Sequence, residues 1–99
     1  MPARNELHEQ ASMVSEYLKT IAHPDRLVVL CLLREGEMSV GELRQHSQNS
    51  QSAFSQHLKV LREQGLVAVR KQAQTVFYCI ADPKVKTLLA GLQQQFCSE

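Results

Sequence analysis

The chain has 99 residues, of which 43% are hydrophobic, with 11 basic residues against 10 acidic ones and three cysteines. This length predicts a single domain over residues 1–99, and a normal apolar content with a net charge of +1 argues against intrinsic disorder. No apolar run reaches the roughly 18 residues of a membrane span, so we expect a cytoplasmic protein with no membrane partner. Three scattered cysteines do not form the framework of a secreted disulfide-rich protein.

Charge is distributed unevenly along the chain. Residues 1–38 contain four basic and six acidic residues, whereas residues 39–81 contain five basic and two acidic ones. Residues 82–99 are balanced. Because DNA binding depends on a basic face more than on the whole-chain total, the central segment slightly favours a nucleic-acid partner.

Two helices are predicted in the first third of the chain. Apolar residues recur every three or four positions over residues 7–21, which is typical of an amphipathic helix. Pro24 and Asp25 suit the first turn of a second helix, because proline fits the first helical position and an acidic side chain complements the helix dipole. The nearly continuous apolar run over residues 27–33 predicts that this second helix is buried on most sides.

Two further helices follow, separated by a polar turn. Ser39 and Glu42 have the spacing of a capping box, which predicts a short helix that ends near His46. A fourth helix is predicted to open at Ser50 and to end at Gly65. Its expected buried stripe consists of Phe54, Leu58 and Leu61.

A β-hairpin and a fifth helix complete the pattern. Residues 66–70 and 75–80 are rich in β-branched and apolar side chains, which predicts two antiparallel strands joined by the polar residues 71–74. Because this connector lacks glycine, we do not assign a tight two-residue turn. Asp82 as N-cap and Pro83 as the first helical residue predict the last helix. Its apolar stripe is Val85, Leu88, Leu89, Leu92 and Phe96.

The predicted order is therefore α-α-α-α-β-β-α, a fold that is mainly α with a small β-hairpin wing. A short helix, a turn, a longer helix and a hairpin are typical of the winged helix-turn-helix arrangement, in which the longer helix enters the major groove. Glutamine and serine can bind base edges there, whereas lysine and arginine bind phosphates. The candidate DNA-binding residues are Gln51, Ser52, Ser55, Gln56, Lys59, Arg70 and Lys71. From spacing alone, a solvated polar helix face with a charged hairpin tip explains the pattern equally well.

The remaining polar residues point to no catalytic site. The sequence has neither a nucleophile–base–acid constellation nor a glycine-rich phosphate loop, so we expect no enzymatic activity and no cofactor. His57 lies at the boundary of the apolar stripe of the fourth helix and is predicted to be a structural histidine. The other histidines, which lack ligand spacing, are expected to be surface or capping residues: His8, His23 and His46.

Several segments taken together resemble the ArsR/SmtB family of winged-helix repressors. The segments are LKTIAHPDRL at residues 18–27, SVGEL at 39–43, SQSAFSQHL at 50–58 and LREQGLV at 61–67. The resemblance covers residues 10–97. It implies a homodimer whose first and last helices form the interface, and which binds an inverted-repeat operator in double-stranded DNA.

Many members of this family sense metals, but their two best-known sites are missing here. The Cys-Val-Cys segment of the thiol site reads Ser39-Val40-Gly41. The zinc site on the last helix of the family has four ligand positions, an Asp, two His and an acidic residue. Here only Asp82 matches, because the other three positions are Lys84, Gln95 and Ser98. One carboxylate does not make a zinc site, so no metal residue is assigned. A metal-responsive repressor that uses a site not evident in the sequence remains the alternative.

Two cysteines resemble a particular branch of the family. Cys31 on the second helix and Cys97 near the end of the last, together with residues 73–78, are similar to the sulfur- and redox-responsive HlyU/BigR/SqrR subgroup. The resemblance implies that this pair is the redox-sensing site and that a reactive sulfur species or oxidant is the effector. Without the resemblance, Cys31 would be interpreted as a small buried apolar residue. Cys79 is expected to be half-buried in a strand and outside the pair.

Overall fold

The computed structural model describes residues 4–96. The predicted element order is confirmed, with one short strand added before the third helix. The elements are α1 (Arg4–Ile21), α2 (Pro24–Arg34), β1 (Met38–Ser39), α3 (Val40–Gln45), α4 (Gln51–Glu63), β2 (Val67–Gln72), β3 (Thr75–Ile80) and α5 (Pro83–Phe96). In this part of the chain, no helix combines the length and the apolar character needed to cross a membrane.

Two serine caps fix the starts of α3 and α4. The Ser39 hydroxyl accepts a hydrogen bond from the backbone N–H of Glu42 at 3.1 Å, and the Glu42 carboxylate accepts one from the backbone N–H of Ser39 at 3.0 Å. This confirms the predicted capping box. The Ser50 hydroxyl likewise accepts from the backbone N–H of Ala53 at 3.2 Å. Both helices therefore begin where the sequence predicted.

The hydrophobic core lies where α2, α3 and α4 pack together against the sheet and the start of α5. Phe54, Leu58 and Leu61 are all buried, which confirms the predicted stripe of α4. Leu30 of α2 and Leu61 of α4 are completely inaccessible to solvent. Burying a leucine side chain contributes roughly 1.5–3 kcal/mol. This core fixes which face of α4 points outward.

The hairpin differs from the prediction at its turn. In the register of β2 and β3, Gln72 lies opposite Thr75, so only Ala73 and Gln74 connect the strands. The structure thus has a tight two-residue turn that the sequence analysis did not assign, and β2 extends two residues beyond its expected end. Ala73 has a φ of 55°, in the left-handed region that glycine normally occupies. Alanine tolerates this conformation at a cost of roughly 1–2 kcal/mol.

Strand β1 was not predicted, because two residues are too few to show a periodic pattern. It pairs antiparallel with β3, with Met38 opposite Tyr78 and Ser39 opposite Phe77, and the sheet order is β1-β3-β2. The residue that caps α3 is thus also part of the sheet. This pairing connects the hairpin to the helix-turn-helix.

The two terminal helices expose several large apolar side chains. Leu7, Val14 and Leu18 of α1 are 45–55% exposed, although they belong to the predicted apolar stripe. Phe96 at the end of α5 is 81% exposed. The apolar run of α2 over residues 27–33 is buried or half-buried, as predicted, except at Val28 and Cys31, which face solvent in a single chain.

Candidate nucleic-acid interface

Helix α4 presents a row of polar side chains on the face opposite its buried stripe. Since the stripe is held in the core, the opposite face points into solvent. An α-helix fits the major groove of B-form DNA, where amide side chains can hydrogen bond to base edges. The five candidates on this helix are all exposed: Gln51, Ser52, Ser55, Gln56 and Lys59.

The hairpin carries the other two candidates, Arg70 and Lys71, which are both exposed on β2. The guanidinium of Arg70 donates to both carboxylate oxygens of Glu37, at 2.7 Å and 2.6 Å, and also donates to the Gln72 side chain at 2.8 Å. It lies 4.5 Å from the centre of the Phe77 ring. Arg70 is therefore held in one position, and its charge faces an acidic side chain.

The hydrogen bonds from Arg70 also determine the charge of Glu37. They lower the pKa of the Glu37 carboxyl below its usual value of 4.5. At neutral pH Glu37 is ionised and competes with any phosphate for Arg70. Sequence reasoning missed Glu37, which lies in the loop between α2 and β1 and is distant from Arg70 along the chain.

A groove joins the outer face of α4 to the sheet. A cavity of about 430 Å³ is lined by Ser55, Lys59, Arg62 and Glu63 of α4 together with Tyr78 of β3. Tyr78 was not singled out in the sequence, because the strand pattern alone did not show that it lies beside α4. Its position shows that the helix and the hairpin form one continuous surface.

His57 attaches α4 to the preceding helices on the inner side. Arg26 of α2 donates from Nε to Nδ1 of His57 at 3.2 Å and from Nη1 to the carbonyl oxygen of Thr20 at 3.1 Å. Burial, followed by the nearby charges of His23 and Arg26, lowers the pKa of His57. His57 is half-buried and is bonded to a neighbouring helix, which confirms its predicted structural role.

Two further side chains lie beside His57. His23 is the N-cap of α2, because its Nδ1 accepts a hydrogen bond from the backbone N–H of Asp25 at 3.3 Å, and this confirms one predicted capping histidine. The His23 and His57 rings are 4.3 Å apart between centroids. Within residues 4–96, His23, Asp25 and His57 form the one group of three side chains that could hold a metal ion. No short spacing in the sequence indicated this group, since His57 comes from another helix.

The cysteine predicted on α2 lies at a second cavity. The Cys31 side chain is exposed, so the interpretation of Cys31 as a buried core residue was wrong. A cavity of about 480 Å³ between α2 and α5 is lined by Cys31, Leu89, Leu92 and Phe96, among others. Cys97 lies outside the described residues, directly after Phe96. Cys79 is half-buried on β3, as expected.

Comparison with known proteins agrees with this arrangement. Residues 23–69 match the model of the bacterial regulatory protein, arsR family. The chain is 44% identical over 92 residues to the transcriptional activator HlyU of Vibrio cholerae, covering 93% of this chain and 85% of that protein. It is 41% identical over 96 residues to the biofilm growth-associated repressor of Xylella fastidiosa, covering 97% and 84%.

The similarity extends to solved structures. The crystal structure of the transcriptional repressor BigR from Xylella fastidiosa superposes with a TM-score of 0.86 at 40% sequence identity, covering 99% of this chain and all of that one. These relatives are named as transcriptional regulators, which confirms the expectation that the chain is not an enzyme. With its helix-turn-helix, its wing and these relatives, the chain belongs to the ArsR family of DNA-binding winged-helix transcriptional regulators.

Proposed function

We propose that the chain is a homodimeric repressor in the cytoplasm whose affinity for an inverted-repeat operator is switched by thiol chemistry at Cys31 and Cys97. The observation that carries this proposal is the position of Cys31. Its side chain is exposed on α2, in a cavity shared with Phe96, the residue that immediately precedes Cys97. A link between the two sulfur atoms would join α2 to the end of α5.

We assign the contacts with DNA bases and phosphates to the outer face of α4 and to the hairpin. Gln51 and Gln56 have side chains that can pair with adenine through two hydrogen bonds, and Ser52 and Ser55 can bind base edges or phosphates. Lys59, on the same face, and the wing residues Arg70 and Lys71 would contact phosphates. The exposure of every one of these side chains supports the assignment.

The dimer is supported by the apolar surface of the terminal helices. Leu7, Val14 and Leu18 follow one stripe of α1, and Phe96 is exposed on α5. Exposed apolar patches of this kind mark protein–protein interfaces, and a 99-residue chain gains stability by covering them. A two-fold dimer would present two α4 helices to half-sites about 34 Å apart, one turn of B-form DNA.

The oligomeric state can be tested by analytical ultracentrifugation. A charge at Val14, which is 52% exposed, should break the interface, so we expect Val14→Asp to sediment as a monomer. Ser12→Asp places the same charge at another exposed position of α1 and is the matched control. A wild-type monomer, or a Val14→Asp dimer as tight as the control, would contradict the proposed interface.

The switch requires an oxidant, because joining two thiols removes two electrons and two protons. Hydrogen peroxide accepts them and is reduced to two water molecules, whereas a polysulfide accepts them by cleavage of a sulfur–sulfur bond. In the chain-entropy model, a direct disulfide between residues 31 and 97 would constrain the unfolded chain by about 4 kcal/mol. That constraint acts on the unfolded chain; between folded arrangements of the terminal helices, the link favours the one that brings the two sulfur atoms within bonding distance.

The switch can be tested by measuring mass and DNA affinity on the same samples. The reduced protein first selects a binding site from a random DNA library, and fluorescence anisotropy then follows binding after sodium tetrasulfide or hydrogen peroxide treatment. We expect a mass change at Cys31 and Cys97 with weaker DNA binding. Cys31→Ser should abolish the link between the two sulfur atoms and the loss of DNA affinity, and Cys79→Ser should keep both. Unchanged affinity in a protein shown to be cross-linked at these residues would refute the switch.

A further inference from the structure

We propose that His23, Asp25 and His57 form a binding site for a divalent transition-metal ion of the Zn²⁺ class, between the start of α2 and the DNA-binding helix α4. The two imidazoles and one carboxylate form a nitrogen and oxygen ligand set that suits Zn²⁺ and its neighbours. This site is independent of the proposed cysteine switch. It also differs from the two metal sites whose residues the sequence lacks.

The distances between the ligand atoms are close to those of a tetrahedral site. Asp25 Oδ2 is 3.6 Å from His23 Nδ1 and 3.9 Å from His57 Nε2. One ligand atom from each residue lies within 4.8 Å of the other two. Zn²⁺ bonds of about 2.1 Å place tetrahedral ligand atoms roughly 3.4 Å apart. Side-chain adjustments of roughly 1 Å would therefore complete the geometry.

The surroundings leave room for a fourth ligand. A cavity of about 190 Å³ is lined by Asp25, His57, His46 and Asn49, among others, and His23 is not one of its lining residues. The Asn49 side-chain nitrogen is buried and has no hydrogen-bond partner among the described residues. This amide can donate to an oxygen held in the cavity, such as a metal-bound water. His57 is the most buried of the three ligands, with a side chain 12% exposed, whereas His23 and Asp25 give access from solvent.

Metal binding would compete with an existing hydrogen bond. Arginine can only donate, so His57 accepts from Arg26 at Nδ1 and its neutral ring carries the proton on Nε2. A metal at Nε2 requires the neutral tautomer of His57 that carries its proton on Nδ1. The N–H groups of Arg26 and His57 would then face each other, and Arg26 would have to move. Metal binding would therefore change how α4 is attached to α2.

The same competition occurs at His23. Its Nδ1 accepts the hydrogen bond that caps α2, and a metal bound at this atom would take its place. Metal binding thus exchanges two hydrogen bonds of the metal-free protein for three metal–ligand bonds. The start of α2 would be held to α4 through the ion instead of through Arg26.

The site can be tested by equilibrium titration of the reduced full-length protein with Zn²⁺ against a chromophoric chelator. Co²⁺ replaces Zn²⁺ in a parallel titration, and its visible absorption reports tetrahedral coordination. We expect one ion per chain and tetrahedral Co²⁺ bands. His23→Gln and Asp25→Asn should each weaken binding at least tenfold, and His8→Gln, which alters an exposed histidine of α1, should leave binding unchanged.

Two further variants distinguish this site from the cysteine pair and test the competition with Arg26. Cys31→Ser/Cys97→Ser should retain the bound ion, so a failure of the cysteine switch would not affect this result. Arg26→Gln should bind Zn²⁺ roughly tenfold or more tightly, because a glutamine oxygen can accept the proton on His57 Nδ1. Equal affinity in the wild type, His23→Gln and Asp25→Asn, or loss of the ion in the double cysteine variant, would overturn the proposal.

Discussion

The ion pair between Glu37 and Arg70 should weaken the contact of the wing with DNA. A phosphate that approaches Arg70 must displace a carboxylate that accepts two short hydrogen bonds from it. Glu37→Gln keeps the size of the side chain and one acceptor oxygen but removes the negative charge. We therefore expect Glu37→Gln to bind DNA more tightly than the wild type and with a steeper dependence on salt.

The size of the effect follows from how many additional phosphates the variant neutralises. The logarithm of the binding constant falls linearly with the logarithm of the salt concentration, and each neutralised phosphate makes this slope more negative by about 0.9. If Arg70 binds one more phosphate in Glu37→Gln, raising the salt concentration from 50 to 200 mM should weaken DNA binding by the variant roughly 3.5 times as much as it weakens binding by the wild type. Fluorescence anisotropy of labelled duplex DNA over this salt range measures both the affinity and the slope.

A double-mutant comparison shows whether Arg70 carries the effect. Arg70→Ala should lower the salt slope if Arg70 reaches a phosphate in the wild type, and adding Glu37→Gln to it should change the slope no further. If Glu37→Gln leaves affinity and slope unchanged, or has the same effect with Ala at position 70, Glu37 does not control Arg70 and the reasoning is refuted.

Three predictions concern stability, measured by urea unfolding. Leu61→Ala should cost about 2–5 kcal/mol, because Leu61 is fully buried, and a loss below 1 kcal/mol would mean that the core is not packed as described. Ala73→Gly should stabilise the protein by up to about 1 kcal/mol, since glycine adopts a φ of 55° without strain; a destabilised variant would argue against the tight turn. Hydrogen bonds from Ser39 lower the pKa of the Glu42 carboxyl below 4.5. The wild type should therefore lose stability relative to Glu42→Gln as the pH falls below this value, because the carboxyl becomes protonated. A difference in unfolding free energy that stays constant with pH would show that ionised Glu42 does not stabilise the fold.

Most of the fold could be predicted because its signals are local. The caps at Ser39 and Ser50 act within one helical turn, and the buried stripe of α4 repeats every three or four residues. The tight turn at Ala73 was missed because its residues do not favour the left-handed conformation. There the pairing of β2 and β3 holds the backbone against the local preference of alanine. Strand β1 depends entirely on its partner β3.

The candidate site was predictable only in part, for a related reason. The exposed row on α4 follows from helix geometry once the buried stripe is known. The partner of Arg70 does not, because Glu37 approaches it only when the chain folds. His57 could be recognised as a boundary residue from its angle on the helix. Its neighbours His23 and Asp25 could not be identified, because they come from the start of another helix.

Helix α2 connects the cysteine of the proposed switch to the DNA-binding helix α4. It carries Cys31 on its outer side and Asp25 at its start, and it packs against α1, α4, α5 and β3. Arg26 adds hydrogen bonds from α2 to the end of α1 and to His57 on α4. Because packed helices move as rigid bodies, a shift of α2 relative to α5 would displace α4 or break its bond to Arg26. Arg26→Gln should therefore reduce the effect of thiol oxidation on DNA affinity while leaving the chemical modification of Cys31 intact, and an oxidation response equal to that of the wild type would exclude Arg26 from the coupling.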